Sequence, residues 1–212
     1  ILDEPTNHLD VASREWIEEA VESYEGNLLF VSHDRYFINR FATRIWMLEN
    51  GQIIDFRGTF EEYRAAQGKL NTAYEAAGYS AQTAATAYRE FYKILGDTDT
   101  ATEASQLLAK LTRSEQDVTR WTRIAAGVSG TFGDSLPIEG LIEATNETAK
   151  TAKVTGVLAD ALNWVGISED DFNKRLERCS GEAERNKLLM DTLTTAYEGA
   201  ADAFYRNNEE LV

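Results

Sequence analysis

Two acidic residues and one histidine are the first candidates for chemistry in this sequence. Asp3 and Glu4 stand side by side, and His33 follows the apolar run at residues 28–31. In nucleotide hydrolases, one acid at a strand end holds Mg²⁺ through water, and the next polarises the water that attacks the γ-phosphate. A histidine after a buried strand can contact the same phosphate. The alternative is that both acids form only a polar strand end before the turn at Pro5.

The residues around these candidates predict helices and strands in alternation. Apolar residues recur at helical spacing over residues 11–24, with Asp10 as the N-cap and Gly26 as the glycine that ends the helix. The continuous apolar run at residues 28–31 is typical of a buried parallel strand. We therefore expect a helix followed by a buried strand.

Further along, Asp34 is expected to open a short helix. Two strand-like stretches then flank Asn50 and Gly51, a pair typical of a tight hairpin turn. The first 68 residues therefore predict a truncated α/β remnant made of short parallel strands plus a β-hairpin.

From residue 69 onward, strand signals give way to helical ones, and we predict about six helices. The first covers residues 70–95 and stops at Gly96, and the second begins with the capping box of Thr100 and Glu103. Residues 127–133 contain three glycines and predict a break. The later helices start at Pro137, near Leu158, at Ser168 and at Glu182. The fold class is therefore mainly α, with domains at residues 1–68 and 69–212.

Composition excludes several function classes. The chain has 21 Lys and Arg against 36 Asp and Glu, a net charge of −15, so we expect no direct nucleic-acid binding. No run approaches ~20 apolar residues, so we expect no membrane span. The first residues lack the basic and apolar regions of a signal peptide, which predicts a cytoplasmic protein. A single cysteine, Cys179, predicts neither a disulfide, a zinc site nor a nucleophile.

Other conspicuous residues have structural explanations. The four tryptophans, Trp16, Trp46, Trp121 and Trp164, are expected in the core. The acidic pairs Glu18-Glu19 and Asp170-Asp171 are expected on solvated helix faces.

The string ILDEPTNHLD, followed by VSHDRYF, resembles the second nucleotide-binding domain of ABC-F proteins, the soluble ATP-binding cassettes that act on ribosomes. The resemblance continues through DRYFINRFATRIWMLENGQIIDFRGTFEEYR to about residue 67. It implies that Asp3 is the Walker B aspartate and Mg²⁺ ligand, Glu4 the catalytic glutamate and His33 the switch histidine. It also implies cofactor contacts from the D-loop residues Asn7, His8 and Asp10.

The phosphate-binding part of such a site is absent from the sequence. ATP binding needs the loop G-x-x-x-x-G-K-[ST], and no such string occurs among the 212 residues. The family's signature loop is absent too, because the chain begins inside the Walker B strand. We therefore expect no enzyme and no bound cofactor, with Mg-ATP bound only if another chain supplies a phosphate loop. We also expect residues 28–31, without neighbouring strands, to repack, pair with another chain or remain loosely ordered.

From about residue 70, the chain resembles an internal stretch of phage tail tape measure proteins. The likeness covers AYEAAGYSAQTAATAYREFYKILGDTDTATEASQLLAKL and IAAGVSGTFGDSLPIEGLIEATNETAKTAKVTGVLADALNWVGISEDDFNKRL. It implies a long helical protein that fills the tail tube, and none of its residues forms a site. An ordinary helical bundle makes the same physical predictions.

These observations predict a non-enzymatic composite protein that joins an ABC-F ATPase fragment to a tape-measure-like helical segment. Its action is expected through a protein partner or self-association. One alternative is an ATP-dependent ABC-F-like translation factor fragment associated with ribosomes. Another is an acidic binding module or inhibitor of a basic, nucleic-acid-binding partner.

Overall fold

The structure is a computed structural model that describes residues 1–49 and 52–208. It divides the chain into two compact units, Ile1–Gln67 and Gly68–Val212. The described part is mainly α, as predicted, with a few short strands. That the first unit is an ABC-F remnant and the second a tape-measure-like domain stays a prediction.

The first unit contains two small sheets, two complete helices and the first part of a third helix. The strands are β1 (Leu2–Asp3), β2 (Phe30–Val31), β3 (Arg44–Glu49) and β4 (Gln52–Arg57), and the helices are α1 (Val11–Glu22), α2 (Arg35–Phe41) and α3 (Phe60–Ala76). Strands β1 and β2 pair in parallel, and β3 pairs with β4 in an antiparallel register that sets Trp46 opposite Asp55. The predicted parallel pair and hairpin strands are confirmed, whereas the turn at Asn50-Gly51 lies outside the described residues.

The core of the first unit is small. Phe37 of α2 is fully buried, and its ring contacts those of Phe30 and Phe41 at centroid distances of 5.1 and 4.8 Å. Alternation along β4 buries Ile54 and Phe56, on one face of the two-stranded sheet. The other face carries Trp46, which is 52% exposed.

The second unit is built from helices. Helix α3 ends in it, and the others are α4 (Ala81–Leu95), α5 (Thr98–Leu111), α6 (Glu115–Phe132), α7 (Ile138–Thr151), α8 (Val157–Trp164), α9 (Glu169–Glu177) and α10 (Glu182–Asn207), with a 3₁₀ turn at Gly133–Ser135. Helices α6 and α10 form the most extensive contact. Two ion pairs, Arg120–Asp191 and Arg123–Asp202, also join them.

The predicted six helices are too few, and the predicted glycine-rich break is confirmed only at its last glycine, Gly133, which is the C-cap of α6. Helix α6 continues through Gly127 and Gly130 to Phe132. A Cβ on Gly127 would collide with the Tyr197 carbonyl oxygen and lie 2.9 Å from the Tyr197 Cβ, so the missing side chain lets α10 approach. Gly127 and Gly130 act in helix packing rather than in chain reversal.

The number of helices is also underestimated because one predicted helix is interrupted and another is divided by caps. Residues 70–95 are interrupted at Gly78, which has a φ of +84°. Thr112 and Ser114 cap the two helices that the sequence joined into one, α5 and α6. Asp97, rather than Thr100, caps α5, since its carboxylate accepts a hydrogen bond from the Thr100 backbone amide.

Several predicted boundaries are confirmed. Asp10 and Asp34 are the N-caps of α1 and α2, Gly96 ends α4 in the left-handed conformation, and α10 begins at the predicted residue, Glu182. Gly26 does not end α1, because the helix stops at Glu22 and Ser23 is its C-cap.

The predicted burial of the four tryptophans and of the apolar run at residues 28–31 is largely wrong. Only Trp121 of the four tryptophans is buried; Trp16 and Trp164 are 69% and 66% exposed. In the run at residues 28–31, Leu29 and Val31 are also exposed, because β2 has two residues and pairs only with β1.

Candidate functional site

Strand pairing positions the candidate site. The Leu2 amide donates to the Leu29 carbonyl at 2.9 Å, and the Glu4 amide donates to the Val31 carbonyl at 2.8 Å. In parallel strands the carboxyl ends meet at the same edge. The segments after β1 and β2, which carry Glu4 and His33, therefore leave this small sheet together.

Glu4 and His33 are in contact although 29 residues separate them. The Glu4 Oε2 accepts a hydrogen bond from the His33 backbone amide at 3.3 Å, and the Glu4 Oε1 lies 3.5 Å from the His33 Nε2. The His33 side chain is 95% exposed, whereas that of Glu4 is 27% exposed. The Glu4 carboxylate is thus hydrogen-bonded, whereas the His33 imidazole is open to solvent and accessible to a ligand.

The backbone at this edge is strained. Glu4 has a φ of +43°, in a region that side chains other than glycine rarely adopt. The Asn7 amide donates to the Glu4 carbonyl at 3.0 Å and closes the turn around Pro5. His8 also has a positive φ, of +59°. Strained residues clustered at one turn are a feature of functional sites, where the surrounding structure maintains them.

The other predicted site residues do not converge on the pair of Glu4 and His33. Asp3, Asn7 and His8 are exposed. Asp10 caps α1, and the hydrogen bond from the Ser13 backbone amide, at 2.8 Å, lowers the pKa of its carboxyl. Asp10 therefore has a structural role here, beside any role that the D-loop resemblance implies.

These residues do not by themselves fit Mg-ATP. Mg²⁺ in nucleotide sites is held by one or two carboxylates together with substrate phosphates. Asp3 supplies such a carboxylate, but the sequence has no phosphate loop. Within residues 1–49 and 52–208, no three His, Cys, Asp or Glu residues are grouped so that they could hold a metal ion. The site therefore offers acids and an imidazole without a cradle for the nucleotide.

The sequence did not predict the ion pairs that join α1 to α2 and to its N-cap. Asp34 accepts hydrogen bonds from the Tyr36 and Phe37 amides and lies 3.4 Å from Arg14. Glu18, expected on a solvated face, is buried and pairs with Arg40 at 2.6 Å. Since Glu18 and Arg40 are 22 residues apart, no local spacing rule could have identified them.

A shallow groove of about 350 Å³ lies next to Cys179 in the second unit. Arg175, Arg178 and Lys187 line it together with Glu184 and Asp191. Cys179 is half-buried, and its Sγ lies 3.5 Å from the Arg175 carbonyl oxygen. The groove is thus lined by three basic and two acidic side chains.

No helix among the described residues has both the length and the apolar character needed to cross a bilayer.

Comparison with known proteins identifies relatives for about a third of the chain. The chain is 57% identical over 63 residues to the ATP-binding protein YdiF of Bacillus subtilis, which covers 30% of this chain and 10% of YdiF. It is 48% identical over 63 residues to ABC transporter F family member 5 of Arabidopsis thaliana, covering 30% of this chain and 9% of the relative. The ribosome protection protein VmlR of Bacillus subtilis is 46% identical over 63 residues, covering 30% of this chain and 12% of VmlR.

The chain thus spans about a tenth of the length of the curated relatives it matches. No family model matches the chain, and no solved structure matches it. Together these comparisons show that the chain contains an ABC-F-like segment.

Proposed function

We propose that this chain is not an ATPase by itself and that it acts through protein contacts. The observation that carries the proposal is the distribution of exposed apolar side chains. Apart from Trp164, every large apolar side chain that is exposed in the described residues lies in the first unit. Three of them, Trp46, Leu48 and Ile53, are neighbours on one face of the hairpin, and contiguous exposed apolar surface often marks a site that binds another protein.

The ABC-F-like segment would contribute part of a hydrolytic site. Asp3 would hold Mg²⁺ through water, Glu4 would polarise the attacking water and His33 would contact the phosphate, provided that another chain supplies the phosphate loop. The contact between Glu4 and His33 supports this assignment, since it brings two of these residues together. In the chain alone, the missing loop argues against turnover.

The second unit would act as a tape-measure-like helical segment that associates with protein. Its support is the resemblance of residues from about 70 onward and the close packing of α6 against α10 around Gly127. Close contacts between small residues are also what helices need when they pack against other copies of a chain.

A second candidate function is that of a ribosome-associated ABC-F-like factor fragment that uses ATP. The similarity to VmlR, whose name describes ribosome protection, favours it. It requires Mg-ATP binding, which the first proposal denies. A third, an acidic binding module for a basic partner, rests on the net charge of −15.

Melting temperatures with and without Mg-ATP separate these proposals. A ligand at 100 times its Kd stabilises a protein by about 2.7 kcal/mol, which shifts the melting temperature measurably. We expect no shift in the wild-type chain. A shift that Asp3→Asn abolishes, and that the control Asp170→Asn retains, would overturn the non-enzymatic proposal.

A further inference from the structure

One face of α1 is exposed although it carries a tryptophan. The face consists of Ala12, Glu15, Trp16, Glu19 and Ala20, all of them exposed, and we call it the Trp16 face. Residues three and four positions apart lie on the same side of a helix, so these five form a continuous strip. Trp16 lies between two small residues, Ala12 and Ala20, which leave room around its ring.

The acids of this face have no cation beside them. Arg14 pairs with Asp34, and Arg40 pairs with Glu18 and Glu22. Glu15 and Glu19 have neither an ion pair nor a hydrogen bond from a side chain within residues 1–49 and 52–208. The Trp16 face thus combines an exposed aromatic ring with two uncompensated negative charges.

These charges restrict the type of partner. A second copy docking through the same face would bring Glu15 and Glu19 near their own equivalents, and each chain carries a net charge of −15. Nucleic acid phosphates would be repelled for the same reason. A positively charged protein segment has the complementary charge.

We propose that the Trp16 face binds a basic amphipathic helix of a partner protein. An apolar side chain of the partner packs on the Trp16 ring between Ala12 and Ala20, and its Lys or Arg residues reach Glu15 and Glu19. Aromatic residues in such positions contribute most of the binding free energy, while the flanking charges give specificity and speed association. This inference rests on the proposed protein-contact function and identifies one surface that serves it.

The test uses the full chain and a defined probe. The probe is an amidated helical peptide of about 14 residues, with leucines at helical spacing on one face and lysines elsewhere. Isothermal titration calorimetry is expected to show binding that weakens as salt rises from low to physiological concentration. A peptide with glutamates in place of the lysines is expected not to bind.

Variants of the face and matched controls test its location. Trp16→Ala and the double variant Glu15→Gln/Glu19→Gln are each expected to weaken binding about tenfold or more. Trp164→Ala removes a tryptophan of nearly equal exposure, and Asp170→Asn/Glu177→Gln removes two negative charges elsewhere. Both controls are expected to change the Kd less than about twofold. Circular dichroism checks that every variant retains its helices.

Three results would overturn the proposal. Equal losses in the face variants and the controls would mean that net charge alone attracts the peptide. Unchanged affinity in folded Trp16→Ala would place the binding surface elsewhere. A dimer in sedimentation velocity that Trp16→Ala dissociates would assign the face to a second copy. None of these results depends on Mg-ATP, so failure here is distinguishable from failure of the proposed function.

Discussion

The first and second units differ in how their apolar side chains are covered. In the first unit, the buried apolar residues are Phe37, Ala42, Ile54 and Phe56, whereas all other buried apolar residues among those described lie in the second unit. Exposed apolar side chains show the opposite distribution. The two units have similar kinds of residues, so the difference lies in how many faces of each element meet a neighbour.

The reason lies in the number of packed layers. In the first unit, β1–β2 and β3–β4 are separate two-stranded sheets, and a two-stranded sheet with one open face has little independent stability. In the second unit, α6 packs against α10 and α4, and α5 packs against α4 and α7, so these central helices have more than one neighbour. Burial on several faces is what stabilises such helices. We therefore expect the second unit to be the more stable one, and most of the exposed apolar surface lies in the first unit.

The largest expected effect is the loss of stability when a buried leucine of the second unit is replaced by alanine. Leu193→Ala in α10 removes a fully buried side chain and should cost about 2–5 kcal/mol of unfolding free energy. Leu48→Ala, the same change at a side chain that is 73% exposed, should cost less than about 0.5 kcal/mol. Urea denaturation followed by fluorescence and circular dichroism measures both. Equal losses would contradict the difference in burial between the units.

A second pair of variants tests the close approach of α6 and α10. Gly127→Ala places a Cβ against the Tyr197 backbone and should destabilise the second unit by about 1–3 kcal/mol. Gly199→Ala lies in α10 with no atom near the added Cβ, and should stabilise by about 0.5–1 kcal/mol because alanine favours the helix. Thermal unfolding of the two variants should therefore shift in opposite directions. Stabilisation by Gly127→Ala would show that the helices are further apart.

For ion pairs, the larger loss of stability is expected in the first unit. Arg40→Ala leaves the buried Glu18 carboxylate without its partner, whereas Arg123→Ala removes one side of an exposed pair with Asp202. A buried unpaired charge is costly, and exposed pairs contribute little. Differential scanning calorimetry should show a larger decrease in melting temperature for Arg40→Ala than for Arg123→Ala. The reverse order would mean that Glu18 reaches solvent.

The smallest expected effect is on pH dependence in the second unit. Hydrogen bonds from Lys187 and Arg120 hold the pKa of Asp191 below its ordinary value of 3.8. Because the folded pKa is the lower one, the contribution of Asp191 to stability is present above pH 3.8 and is lost as the pH falls through the folded pKa. With Asp191→Asn, the melting temperature should therefore decrease less as the pH falls below 5.

Local features were predictable because neighbouring residues decide them. Asp10 and Asp34 cap the helices that follow them, and Gly96 ends a helix in the left-handed conformation. Caps and helix periods depend on atoms within a few positions along the chain. For the same reason, the sequence alone predicted the candidate site residues Asp3, Glu4 and His33.

Other features depend on contacts between distant residues, and only the tertiary structure decided them. Helix α10 approaches α6 where Gly127 has no side chain, and the buried Glu18 pairs with the distant Arg40. Trp16 is exposed because no described element covers its side of α1. The sequence by itself thus determined most of the helix caps and the residues that could do chemistry, since residue type and neighbouring positions indicate both. The tertiary structure decided which faces are covered and that Glu4 meets His33, since both require segments distant in sequence to come together.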